Sequence, residues 1–257
     1  MAACKGDVTG TGELATPLLN ADVAAMAADA AGEDVDIMRE PVFFISIGPF
    51  AALVGPFTVA GTGDLRPANC PYDAASQRLI CPVVTRGSIT INRSYAFWDA
   101  GNVSQQAYDG LLTAKANIQT SIVGSKSGDN WSASISRTRD MTATGLLGEE
   151  TQRTWNGTGT SNATGSRHND SGAERSYDIT CTLTVTDVVV PVPIGHPLSG
   201  TITRQCTVTF DGGPRDGESV QRTATVTFNG TSTATLTVGD KTFDLDLTNR
   251  RRSPRNP

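Results

Sequence analysis

Thr and apolar residues alternate with little interruption from Ile202 to Leu247, and glycine-containing turns divide this stretch at even intervals. A period of two places successive side chains on opposite faces of a strand, and β-branched residues are common in strands. Strands with one apolar and one polar face are typical of an antiparallel sheet that is buried on one side only. The stretch therefore predicts an antiparallel meander with one buried face.

Two hairpins determine the register of this meander. A Gly-Asp pair at 239–240 is typical of a two-residue hairpin turn and sets Leu236 opposite Phe243. A short loop at 229–233 sets Val226 opposite Leu236 in the same way. A slip of one residue in either hairpin would turn an apolar set toward water, so we expect this register to be strongly preferred.

Two arginines interrupt the apolar face of the meander. Arg204 and Arg222 occupy equivalent positions of the alternation. One interpretation makes them strand-end residues whose charged tips reach water while their stems cover apolar surface. The other makes them a basic stripe in a concave groove.

Further strand-like runs precede the meander, at residues 79–84, 88–98, 116–123, 131–144, 151–157 and 175–186. Residues 157–172 are rich in Gly, Ser and Thr, and we expect them to form a long polar insertion. Because helices and strands do not alternate, a parallel α/β sheet is disfavoured. We predict a mainly β protein, in which an antiparallel meander of about nine strands forms a curled sheet or half-barrel, with a short N-terminal helix.

Composition divides the chain into four regions. Asn20 can cap a helix over the Ala-rich stretch that follows it, and Pro41 would end that helix. The regions are a flexible leader or tether (1–20), a short helix plus an apolar Gly/Pro-rich arm (21–65), an antiparallel β domain (66–248) and a basic disordered tail (249–257).

The apolar arm is the least polar part of the chain. It has no charged residue from Pro41 to Gly63, and it holds four of the eight phenylalanines: Phe43, Phe44, Phe50 and Phe57. Two internal prolines disfavour an unbroken membrane-spanning helix. One interpretation packs the arm in extended form on the apolar face of the sheet. The other makes it a docking or lid segment that enters a membrane surface or a partner's groove.

Four of the five cysteines form two pairs in the sequence. Cys70 and Cys81 bracket a segment that can fold back as a tight loop, and Cys181 and Cys206 would face each other across a hairpin centred near 191–195. We predict a disulfide in each pair, although four cysteines allow other connectivities. Two disulfides would place the protein in an oxidising, extracytoplasmic compartment.

The fifth cysteine lies near the start of the chain. The residues Ala2-Ala3-Cys4 resemble the end of the signal found in bacterial envelope lipoproteins, in which small residues precede the lipidated cysteine. The resemblance implies a lipid anchor at Cys4, followed by a polar tether. A free cysteine at this position is the alternative.

The sequence predicts no catalytic residue, metal site or cofactor. A zinc site is disfavoured because neither cysteine pair has close spacing and the two histidines, His168 and His196, fall in polar loops. No Gly-x-Ser-x-Gly elbow is present. Asp244 and Asp246 share one strand face and could bind Ca²⁺ or act as acid and base, but the alternation favours a solvated face behind an apolar one.

Charge and composition narrow the functional classes. The net charge is −5 although four arginines lie in the last eight residues, so the body of the chain is acidic and nucleic-acid binding is disfavoured. We expect a non-enzymatic β-sheet protein of the periplasm or outer cell surface, tethered to a membrane and acting by binding or docking. Its partners would be an envelope or membrane protein complex, a second copy or an extracellular polymer, with lipid contact through Cys4 and the arm.

Two other functions stay open. A half-barrel lined by apolar side chains could carry a lipid or another apolar ligand, and this architecture resembles that of periplasmic carriers of lipoproteins and lipids. The resemblance implies an open apolar cavity, with the Phe-rich arm as its lid. The more remote alternative is a hydrolase that acts on envelope sugars through strand carboxylates.

Overall fold

The computed structural model describes residues 11–39, 57–60, 64–67, 70–128, 131–147, 150–168, 174–212, 215–248 and 251–254. Within these ranges the chain forms one helix and seventeen strands in two antiparallel sheets. This confirms the mainly β prediction, with more strands than expected. Cys4, Phe43, Phe44 and Phe50 lie outside the described residues, and Phe57 begins the first strand.

The elements are short near the start of the β region and long after it. They are α1 (Thr11–Met38), β1 (Phe57–Ala60), β2 (Asp64–Pro67), β3 (Tyr72–Asp73), β4 (Arg78–Ile80), β5 (Val84–Arg86), β6 (Ile89–Asp99), β7 (Ser104–Gln105), β8 (Tyr108–Asp109), β9 (Thr113–Gly128), β10 (Trp131–Thr144), β11 (Gln152–His168), β12 (Glu174–Pro191), β13 (Ser199–Asp211), β14 (Ser219–Thr227), β15 (Thr233–Val238), β16 (Lys241–Asp246) and β17 (Arg251–Pro254).

The larger sheet is a meander, as the alternation predicts. From β9 to β17 each strand pairs with the next one in the sequence, while β6, β4 and β3 continue the sheet beyond β9. Strands β1, β2 and β8 form a small separate sheet. The large sheet is open, with β17 and β3 at its two edges, so it is not a closed barrel. The observed register sets Leu236 opposite both Phe243 and Val226, as predicted.

One expectation about the sheet is wrong. Residues 157–172 were expected to form a polar insertion, but β11 runs through Gln152–His168 and pairs with β10 and β12 along its length. The glycines explain this arrangement, because a Cβ on Gly157 or Gly159 would lie 2.4 or 2.3 Å from a backbone oxygen of β10. Here glycine allows close approach of strands instead of marking a loop.

The two faces of the large sheet differ sharply. On β13 the buried positions Ile202, Arg204, Cys206 and Val208 alternate with more exposed ones. We call the face that carries these buried side chains the inner face, and the opposite one the outer face. Asp244 and Asp246 lie on the outer face of β16, opposite the buried set of that strand, as the alternation predicts.

Helix α1 covers the inner face. It begins at Thr11, about ten residues before the predicted start, and runs to Met38. Between Leu19 and Met38 it is buried on nearly every side. Small residues such as Ala24 and Ala31, which have no exposed surface, let the helix lie close to the strands.

Both predicted disulfides are present, Cys70–Cys81 and Cys181–Cys206. The second joins directly opposed positions of β12 and β13 on the inner face. Each closes a loop and stabilises the fold by roughly 3 kcal/mol, mainly by restricting the unfolded chain. Disulfides persist in oxidising compartments, so they indicate an extracytoplasmic location. Among the described residues, no helix is both long and apolar enough to cross a bilayer.

Candidate functional site

A cluster of charged side chains, buried at its centre, joins α1 to the inner face. Asp34 is fully buried and accepts hydrogen bonds from Arg139 of β10 and Arg204 of β13. Arg137 of β10 donates to Glu33 and, at 3.2 Å, to Asp29. We call these six side chains the helix latch. In a flat sheet β10 and β13 lie about 14 Å apart, and the long arginines close this gap above Asp34.

Burial and charge act in opposite directions on the latch. Burial lowers the pKa of Arg204, with Asp34 opposing that effect. Burial also lowers the pKa of Arg137, but the charges of Glu33 and Asp29 outweigh it and raise the pKa overall. Removing one partner of such a pair leaves an uncompensated charge in a medium of low dielectric constant. The latch therefore ties the position of the helix to the two strands.

The latch decides between the two interpretations for Arg204, and neither was correct for that residue. Arg204 is 2% exposed, so it does not reach water, and its pairing with Asp34 means that it forms no open basic stripe. Arg222 donates from Nε to Asn20 Oδ1 at 2.8 Å. Both arginines contact the helix, Arg222 at Asn20 and Arg204 at Asp34.

A modest cavity remains beside the helix. It has a volume of about 260 Å³ and lies between α1 and strands β10, β11 and β12. The apolar part of its lining comes from Met26, Ile135 and Ile179. At the rim, the hydroxyl of Tyr177 donates a hydrogen bond to Asp22 Oδ2 at 3.2 Å. The volume is just below the roughly 300–1,000 Å³ that ligand pockets occupy.

The outer face holds a much larger depression, of about 890 Å³, which crosses strands β6, β9, β10, β11 and β12. We call it the outer groove. The pairing register arranges the side chains of its floor in two rows, each with one residue per strand. The first row is Asn92, Ser121, Thr138, Thr160 and Thr182, and the second is Ser94, Gln119, Asp140, Thr158 and Thr184.

The strand geometry sets the dimensions of the outer groove. Five strands at about 4.8 Å spacing give a floor about 19 Å long. The two rows lie two residues apart on each strand, which corresponds to about 6.7 Å. Within the first row, the hydroxyls of Thr138 and Thr160 are hydrogen-bonded to each other at 2.8 Å.

The end of β4 and the residues just after it, 80–83, form an apolar wall of the outer groove. Ile80 and Val83 line it and are 42% and 59% exposed. The segment is held by the Cys70–Cys81 disulfide and by the hydrogen bond from Cys81 N to Arg93 O at 3.0 Å. The first disulfide therefore positions this wall, while the second lies under the helix.

The one carboxylate among the described groove-lining residues, Asp140, is held in a polar network. Its two oxygens accept from Asn117 Nδ2 at 2.6 Å and Gln119 Nε2 at 3.0 Å. Arg78 donates to Asn117 Oδ1 at 2.8 Å and to Ser94 Oγ at 2.8 Å. Burial lowers the pKa of Arg78, and the charge of Asp140 opposes this. The charge of Asp140 is thus matched by a fixed guanidinium.

The floor of the outer groove carries mostly neutral polar side chains. Glycoside hydrolysis commonly uses two carboxyl groups about 5–10 Å apart, and the described lining supplies one. The groove floor instead offers hydroxyls and amides that can donate and accept hydrogen bonds. Among the described residues, no three His, Cys, Asp or Glu side chains lie close enough together to hold a metal ion.

Sequence reasoning found the disulfides but neither the latch nor the outer groove. The available signal for the latch was Arg137-x-Arg139 at inner-face positions of an alternating strand, together with acidic residues in an Ala-rich helix. Comparison with known proteins adds no assignment: no family model, no curated protein and no solved structure matches this chain.

Proposed function

We propose that this protein is a non-enzymatic extracytoplasmic binding protein that docks on a component of the cell envelope through its outer groove. One observation carries the proposal. The inner face is closed by α1 and the latch, whereas the outer face presents a groove of about 890 Å³ with a polar floor and an apolar wall. A lipid at Cys4 would keep this groove close to a membrane, consistent with the lipoprotein-like residues Ala2-Ala3-Cys4.

Co-sedimentation with the envelope fraction of the source organism tests the proposal. The pair Thr160→Arg/Thr182→Arg places two long charged side chains on the groove floor. The matched pair Thr223→Arg/Thr227→Arg makes the same change at exposed outer-face positions of β14, outside the groove. We expect the parent and the β14 variant to sediment with the envelope and the groove variant to stay in solution. Equal sedimentation of all three, or of none, would overturn the proposal.

The lipid anchor has its own test, because binding does not require it. Mass spectrometry of the protein isolated from its own membranes should show a diacylated or triacylated cysteine at position 4. A free thiol there would remove the tether from the proposal and leave the groove untouched.

A carrier is the second candidate, and the cavity beside α1 is the observation in its favour. Displacement of the helix would join this cavity to the apolar inner face that Ile135 and Ile179 border. The carrier predicts that a fluorescent fatty acid binds the protein and that the variant Met26→Trp, which fills the cavity, reduces that binding. If the fatty acid does not bind, the carrier hypothesis fails. No observation on the described residues favours the hydrolase.

A further inference from the structure

We infer that the outer groove takes a neutral, hydroxyl-rich polysaccharide chain. The inference rests on the proposed function and names its ligand class. Its first support is the chemistry of the floor, where Asp140 is the single ionisable side chain in the two rows. The other members are Thr, Ser, Asn and Gln, which donate and accept hydrogen bonds without carrying charge.

Charge argues against an ionic ligand. An anionic polymer would meet the carboxylate of Asp140, and the nearby guanidinium of Arg78 already donates to Asn117 and Ser94. A cationic ligand would find one carboxylate, both of whose oxygens accept hydrogen bonds from amides. Nucleic-acid binding depends on lysines and arginines that neutralise phosphates, and the two rows of the floor contain neither. Of the two arginines elsewhere in the lining, Arg139 is buried and paired with Asp34, and Arg93 is half-buried.

Shape supports a linear chain. The floor is about 19 Å long and repeats a polar side chain at every strand, about 4.8 Å apart. A polymer with hydroxyl groups at regular intervals can form the same hydrogen bond repeatedly along such a floor. The apolar wall at Ile80 and Val83 adds a surface for the C–H faces of sugar rings.

An extended peptide is the main competitor. Peptide strands commonly bind at a sheet edge, where unpaired backbone groups form a new ladder. The groove lies on the face of the sheet, and β9, β10 and β11 are each paired on both sides. A peptide in the outer groove could contact side chains but could not form a backbone ladder with these strands, which favours a glycan as the ligand.

Affinity gel electrophoresis with purified polysaccharides tests the inference. The panel contains neutral polymers (dextran, mannan and a mixed-linkage β-glucan), an anionic polymer (alginate) and an unstructured neutral peptide in a parallel binding assay. The groove variant is Thr160→Val/Thr182→Val, which removes two hydroxyls and keeps the side-chain shape. The control is Thr223→Val/Thr227→Val on the same face, outside the groove.

We expect at least one neutral polymer to retard the parent. Because each neutral hydrogen bond contributes modestly, the groove variant should bind about tenfold more weakly, and the control should match the parent. Retardation by alginate alone, binding of the peptide alone, no retardation, or equal binding by both variants would overturn the inference. Envelope binding that depends on the groove while every neutral glycan fails would overturn the inference and leave the proposed function standing.

Discussion

Replacing Asp34 by Asn tests whether the latch holds the helix on the sheet. Asp34 is fully buried and accepts hydrogen bonds from Arg139 and Arg204. Asn keeps the shape of the side chain but removes its charge, so two buried guanidiniums lose their counter-charge and repel each other. Loss of one partner from a buried ion pair costs about 3–5 kcal/mol. Because Asp34 serves two arginines, we expect a cost near the upper end of that range.

Urea unfolding, followed by circular dichroism, gives the measurement. At an m-value of about 2–3 kcal/mol/M, the loss lowers the midpoint by roughly 1.5–2.5 M. Asp36→Asn is the control, because Asp36 lies on the same helix and is exposed, and loss of an exposed charge interaction costs no more than about 1 kcal/mol. If Asp34→Asn unfolds at the same urea concentration as Asp36→Asn, the reasoning about the latch is refuted.

A rescue variant separates charge from packing. Asp34→Leu/Arg139→Met/Arg204→Met replaces the central pairs of the latch by apolar side chains of similar length. Apolar replacement of a buried ion cluster is often neutral or stabilising. The triple variant should therefore recover most of the stability that Asp34→Asn loses. A triple variant less stable than Asp34→Asn would indicate that shape, and not charge, dominates at this site.

Three further predictions concern stability. Removing the inner-face disulfide with Cys181→Ala/Cys206→Ala should cost roughly 3 kcal/mol in thermal unfolding, and an unchanged melting temperature would contradict its structural role. Tyr108→Phe should be neutral or slightly stabilising at neutral pH, because the buried hydroxyl has no hydrogen-bond partner in the described part of the chain. Burial raises the pKa of Tyr108, so above about pH 10 its phenol ionises more readily in the unfolded chain than in the folded one. The parent should therefore lose stability above this pH, and the Phe variant should lose less. Identical pH profiles of stability would argue against this reasoning. Gly157→Ala should lower the free energy of unfolding in urea by about 1–3 kcal/mol, because its Cβ would lie 2.4 Å from a backbone oxygen of β10. Gly101→Ala, in an exposed turn, should cost little. Similar urea midpoints for the two variants would contradict the close approach of β10 and β11.

The hairpins and disulfides were predictable because they depend on short-range pattern. Alternation with a period of two fixes which residues face the core, so the pairing of Leu236 with Phe243 followed from the turn at 239–240. The pairing of Cys181 with Cys206 followed in the same way from a hairpin centred near 191–195. Eight of the seventeen strands have only two to four residues, which is too short to show a clear period and explains the low strand count predicted from sequence.

The latch and the outer groove depend on contacts that no local pattern encodes. Asp34 and Arg204 are 170 residues apart in sequence, and their pairing requires knowing that α1 lies on the inner face. The groove arises where five strands bring unremarkable Thr, Ser, Asn and Gln residues into two rows. In the sequence, each of these residues looks like an ordinary solvent-exposed strand position. Only the alignment of neighbouring strands brings them together into a site.

Envelope binding by a protein in which α1 is fixed on the sheet is the most direct test of the account. It shows whether binding uses the outer groove or requires the inner face to open. Asn20 Nδ2 lies 3.4 Å from Asp240 Oδ1, so in an Asn20→Cys/Asp240→Cys variant with a Cys4→Ser background a short bifunctional thiol crosslinker can join the two cysteines and fix α1. We predict that the locked protein sediments with the envelope fraction as the parent does, while Thr160→Arg/Thr182→Arg does not. Loss of envelope binding in the locked protein, with binding retained by the groove variant, would contradict the account.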